Sequence, residues 1–192
     1  MEAACLDDAD TGRELLGPLR RLGPELDTFA TIPPPALARL HMDPDQPVSN
    51  QADGAFLSDL PDAAIDSLVA VAGPDADTPL LSVEVRHLGG ALARPVPRGG
   101  AQPDLGAGYA VFAVGITPTP ELIGVVRSHT QAIKDALAPW QASYDYYNFK
   151  ETPAAASTVL PAASYRRLQE IKAGYDPDQA IIAAHPVTPV LA

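Results

Sequence analysis

Leu15, Leu16, Leu19 and Leu22 recur at helical spacing behind Thr11-Gly12-Arg13-Glu14. In that tetrapeptide Thr11 can accept an amide hydrogen bond while Glu14 reaches back, which predicts a capped helix start. Gly23-Pro24 stops the helix. Ile32-Pro33-Pro34-Pro35 then leads rigidly into a short helix over 36–40. The stretch 42–54, rich in Pro, Asp, Asn and Gly, reads as a loop, and Phe56-Leu57 as a short strand. Residues 61–71 predict an amphipathic helix with Ile65, Leu68 and Val69 on one side, closed by Gly73-Pro74.

The middle of the chain is more regular. Over 80–88, Leu81, Val83 and Val85 alternate with Ser82, Glu84 and Arg86, which predicts a strand with one dry and one polar face. A second, more buried strand covers 106–117, and the Pro/Gly-rich stretch 94–104 connects the two. Thr119-Pro120-Glu121 opens a helix: threonine as cap, proline at the first helical position, glutamate at the positive end. Leu122, Val126, His129, Ile133 and Leu137 form its apolar stripe, and Pro139 ends it. An aromatic strand over 144–149 follows, then a last helix over 161–173, with Gly174-Tyr175-Asp176-Pro177 as its stop. The order strand, strand, helix, strand, helix predicts an α+β fold, an antiparallel β-sheet with helices packed on one face. The opposite face, bearing Glu84 and Arg86, is then free for a ligand or another domain.

Composition narrows the function classes. Twenty-one prolines and 14 glycines punctuate the apolar segments without replacing them, so the expectation is a compact fold with many turns. The 24 acidic against 13 basic residues give a net charge of −11, which argues against nucleic acid and anionic membrane surfaces as partners. Cys5 is the single cysteine, so neither an internal disulfide nor a multi-cysteine zinc site is available. The start of the chain has neither a basic nor an apolar signal region, and the cytoplasm is the expected location.

Several catalytic templates are missing. Gly106-Ala107-Gly108 lacks a third glycine and precedes a strand, so it is no phosphate cradle. His41, His87, His129 and His185 have no neighbours at metal-ligand spacing, and no metal is expected. Glu84 and Arg86 share a strand face, as a structural ion pair or as part of a site. Within 144–149, alternation puts Tyr144, Tyr146 and Asn148 on one face and Tyr147 and Phe149 on the other. Two phenols and a carboxamide on one face need polar partners, so that face either meets something polar and flat or is an amphipathic edge.

The cluster Tyr146-Tyr147-Asn148-Phe149, the run Tyr165-Arg166-Arg167-Leu168-Gln169-Glu170-Ile171-Lys172-Ala173-Gly174-Tyr175-Asp176-Pro177-Asp178, and Ala184-His185-Pro186-Val187 together resemble the C-terminal signature of the berberine bridge enzyme-like FAD-linked oxidases. Leu88-Gly89-Gly90-Ala91 and Asp27-Thr28-Phe29 resemble that family's substrate domain more loosely. The resemblance divides the chain into a substrate-binding part, 1–140, and the C-terminal segment, 141–192, of one structural unit. It implies FAD as cofactor, a small organic substrate, and hydride transfer to the flavin. Tyr146 and Asn148 become the flavin-contacting residues, Arg86 and Tyr144 the substrate-binding ones.

Two departures from the family pattern matter. The flavin-binding half that precedes this region in the family is absent from the sequence, so a truncated oxidase, with a missing or separate FAD-binding domain as partner, is expected. Phe149 stands where several members carry a tyrosine base; lacking an ionisable proton, it leaves Tyr146 and Glu84 as the catalytic candidates. The alternative is a non-enzymatic binding module that uses the exposed sheet face. Such a face also predicts self-association.

Overall fold

A computed structural model describes residues 1–41 and 46–190. The chain divides into two compact units, Met1–Pro47 and Val48–Ala192. The first holds helix α1 (Ala9–Arg20) and a 3-10 turn over Pro34–Arg39. The helix begins earlier than its sequence suggests. Asp8, not Thr11, is the cap, and its carboxylate accepts the Thr11 amide at 2.8 Å. Of the expected stripe, Leu15 and Leu22 stay exposed.

The second unit is built on a three-stranded antiparallel sheet in the order β1 (Asn50–Leu57), β3 (Tyr109–Ile116), β2 (Ser82–His87). Strand β3 is apolar on both faces, as a central strand requires. Strand β1 corrects the sequence reading. A loop was expected over 42–54, and residues 42–45 lie outside the described residues, but 50–54 pair with β3 from Asn50 opposite Ile116 to Gly54 opposite Phe112. Asp53-Gly54 looks like a turn signal. Small residues at 52–55 instead let β1 lie close under its neighbours, and everything from Ala52 to Leu57 is buried.

One sheet face packs on α2 (Asp62–Ala72) and α3 (Pro120–Leu137). Leu57, Val111 and Ala113 meet Ala64, Ile133 and Leu137 there, with Val83, Leu68 and Trp140 at the margin. Burying side chains of the size of Leu57, Ile133 and Leu137 stabilises by about 1.5–3 kcal/mol each. Gly115 permits this approach, since a Cβ there would lie 2.7 Å from the Val126 side chain. On α3 the buried positions are Val126, Thr130, Ile133 and Leu137, with Thr130 at the buried centre and His129 half-buried. Thr119 occupies the cap position without a capping bond. Its hydroxyl serves the Glu121 carboxylate instead, holding that group below the usual range.

A second core gathers Ala156, Val159 and Leu160 against Tyr147, Val187, and Tyr165 and Leu168 of α4 (Ala162–Tyr175). Beyond α4, Asp176 fastens the chain: its carboxylate accepts the Ala180 amide at 2.7 Å and the Ile181 amide at 3.2 Å, and pairs with Lys172. Ile181 and Ile182 are exposed, whereas His185 is buried and donates from Nε2 to the Lys150 carbonyl at 3.0 Å.

Candidate functional site

The open sheet face carries the residues at the matching positions of the three strands. The row Phe56–Ala110–Arg86 lies beside the row Gly54–Phe112–Glu84. Across these rows lies the segment 144–150, and here the structure corrects an expectation. Instead of a strand, Tyr147–Phe149 is a 3-10 turn closed by the Phe149 amide donating to the Tyr146 carbonyl at 3.0 Å. A 3-10 turn repeats every three residues, not every two. Tyr146 and Phe149 therefore share a side, while Tyr147 turns away to the second core and packs edge-on against His185, centroids 4.9 Å apart.

The result is a continuous aromatic surface. Tyr146 stacks on Phe56 at 5.2 Å and 16°, and meets Phe149 edge-on at 4.8 Å. Phe149 tilts onto Phe112 at 4.8 Å. Tyr144 sets its edge against Phe56 at 6.0 Å, and its Oη accepts the Gly106 amide at 3.0 Å, pinning the end of the long connection between β2 and β3. Gly54 is essential to this layering: a Cβ there would lie 2.6 Å from the Val111 carbonyl oxygen and 3.2 Å from the Phe149 Cβ.

Polar groups rim the surface. Arg86 grips Glu84 in a two-pronged pair, through Nε to one carboxylate oxygen and through Nη2 to the other at 2.9 Å. The same guanidinium lies over Phe149, its Cζ 4.8 Å from the ring centroid, a cation–π arrangement. Asn148 is exposed and donates from Nδ2 to Tyr146 Oη at 3.4 Å. Glu84, Arg86, Tyr144, Tyr146 and Asn148 thus lie around one patch, although three of them come from a segment whose predicted geometry differs from the observed one.

Phe56, Phe112 and Gly54 form the floor of the patch and escaped the sequence reading. Their signal is register: residues 54 and 112 face one another, and 56 faces 110, only once the pairing of β1 with β3 is known. Also unforeseen is an ionic network at the β1 edge, where Asp53 meets Lys134 at 3.1 Å and Lys150 at 3.5 Å, and Lys150 meets Asp145 at 3.1 Å. Burial works against the charge of Lys150. The carboxylates of Asp53 and Asp145 outweigh it, so its pKa lies above the ordinary lysine value. Among the described residues, no group of three His, Cys, Asp or Glu side chains could hold a metal ion, and no helix is long and apolar enough to cross a membrane.

No protein-family model matches this sequence, and no curated protein matches it either. Solved structures do. A variant of Physcomitrella patens BBE-like 1 aligns with a TM-score of 0.73 at 13% identity, covering 97% of this chain and 44% of that one. The wild-type protein aligns at 0.66 and 14% identity, covering 84% and 34%. Aclacinomycin oxidoreductase aligns at 0.58 and 18% identity, covering 73% and 32%. The chain therefore spans less than half the length of each of these structures, and within that span it has the fold found in the berberine bridge enzyme-like FAD-linked oxidases.

Proposed function

We propose that this chain is the substrate-binding part of an FAD-dependent oxidoreductase, acting on a small organic substrate beside a flavin held chiefly by a separate domain. The observation that carries this reading is the single patch in which Arg86 and Tyr146 both rest against Phe149, with Glu84 and Asn148 beside them. The residues present fit one wall of a flavin site. Phe112 and Phe149 supply flat apolar surface beside the Tyr146 ring, which rests on the buried Phe56, and Tyr146 and Asn148 supply polar tips. Arg86 is engaged by Glu84, so the face offers a surface for a ring and not a cradle for a pyrophosphate.

The flavin, when bound, would accept the hydride; the chain's residues prepare the substrate. Tyr146 takes the substrate proton at Oη, the atom to which the Asn148 amide donates. Glu84 holds the Arg86 fork over Phe149, so the pair presents a fixed polar rim to the substrate. Tyr144 Oη, already accepting from Gly106, keeps its proton to donate. Phe149 contributes shape and a dry ring, not proton transfer.

Two measurements test this. Incubation with FAD followed by desalting should leave the chain colourless, whereas a retained flavin band would overturn the need for a separate flavin domain. Riboflavin titrated into isotope-labelled chain should shift the amide resonances of Arg86, Tyr146 and Asn148. Shifts confined to other residues, or none, would overturn the assignment of this face.

A further inference from the structure

A cleft of about 460 Å³ opens at the β1 edge, on the helix side of the sheet, away from the aromatic patch. Its walls come from β1, α3 and the segment 145–158, and its charged lining consists of Arg127, Lys134, Lys150, Asp53 and Asp145. That is three cations against two carboxylates. The ion pairs run in a chain, Lys134 to Asp53 to Lys150 to Asp145, and neutralise four of these charges. Arg127 stands outside the chain. Its Nε donates to the Gln51 carboxamide oxygen at 2.8 Å, which fixes the guanidinium plane, and among the described residues it makes no ion pair.

The geometry points to this cleft as a binding site for a small organic carboxylate. The lining holds one uncompensated positive charge, so the complementary ligand is a monoanion. A guanidinium held through Nε presents its two Nη groups as a planar fork, and a carboxylate matches that fork with two parallel hydrogen bonds. Thr152, also in the lining, adds a hydroxyl. The volume lies within the range of about 300–1,000 Å³ typical of small-molecule sites, more than a bare carboxylate needs, so the ligand carries an organic body. This site involves none of the residues assigned to the oxidoreductase reading and stands apart from it.

The test uses the isotope-labelled chain titrated with sodium benzoate, sodium chloride being exchanged to keep ionic strength constant. Saturable shifts at the amides of Arg127, Lys134 and Thr152 are expected. Arg127→Gln, a change at an exposed position, should weaken binding by about tenfold or more, the loss of a charged hydrogen-bonding partner. Arg127→Lys should weaken it less, and Thr152→Val, which conserves volume, should weaken it without altering the fold. Linear, unsaturated shifts would overturn the proposal, as would saturable binding that Arg127→Gln leaves unchanged. Saturation by inorganic phosphate but not by benzoate would overturn the choice of an organic carboxylate.

Discussion

Replacing Asp53 with asparagine removes one charge from the middle of β1 while keeping the size of the side chain and a carbonyl for the Gly54 amide, which Asp53 Oδ1 accepts at 2.8 Å. The Asp53, Lys134 and Lys150 side chains are 10%, 14% and 9% exposed, so their charges meet in a largely dry setting. Deleting one partner of a buried pair costs about 3–5 kcal/mol, because the remaining charge is left uncompensated. Lys150 retains Asp145 at 3.1 Å; Lys134 loses its carboxylate partner. The lower end, about 3 kcal/mol, therefore applies. With a urea slope of about 2 kcal/mol per molar, the unfolding midpoint should fall by about 1.5 M. Trp140, packed at the margin of the main core, supplies the fluorescence signal. A midpoint within about 0.3 M of the parent would refute the reasoning, since the network would then be screened like a surface pair. Asp53→Leu combined with Lys134→Met removes both charges and should recover most of the loss.

Four further outcomes are expected. Gly54→Ala forces a methyl against the Val111 carbonyl and the Phe149 Cβ, and should cost about 1–3 kcal/mol in urea unfolding and abolish the riboflavin shifts at Tyr146. Asn148→Ala, at an exposed position, should change stability by less than about 0.5 kcal/mol while reducing those same shifts. The Asp176 carboxyl is held below its ordinary value of 3.8, first by Lys172 and then by the Ala180 and Ile181 amides. Its stabilisation is thus complete above that value and fades as pH falls through the lower folded value, so acid titrations of Asp176→Asn should show a shallower loss of stability in that range than the parent. Among the described residues β2 is an edge strand with Val85 partly and Leu81 largely exposed, so sedimentation should show concentration-dependent association that Val85→Lys suppresses.

Much of the fold was readable from hydrophobic spacing. The helices at 62–72 and 120–137 and the strands at 82–87 and 109–116 fall where the apolar pattern places them, although Ile65 and Val69 of the expected apolar side of 62–72 stay exposed and 109–116 is buried on both faces. Strand β1 was hidden for a physical reason. Its identity depends on pairing with β3, and Asn50, Asp53 and Gly54 have low intrinsic strand preference. The same holds for the patch. Tyr144, Tyr146 and Asn148 stood out as polar and aromatic groups that need partners, yet residues 144–149 have strand-forming composition while the chain turns there. Tertiary contacts decide that turn: Lys150 is drawn to Asp53 and Asp145, and Tyr147 to the second core. Apart from Asp145, none of those partners is local in sequence, so the local pattern did not reveal the turn.

The turn at Tyr147–Phe149 has a consequence for how this surface can diverge. Its two anchors, Tyr146 and Phe149, are fixed by rings beneath them, and Tyr147 is committed to the opposite core. Position 148 alone in the turn is free of packing duty, exposed at the rim of the patch. Side chains of different size, charge or hydrogen-bonding pattern can replace one another there without rebuilding the floor. A one-residue insertion between the anchors would instead rotate one of them off its ring. Substitution is thus the cheap route to altered recognition and length change the forbidden one, which makes position 148 the place to randomise first in a search for new ligand preferences.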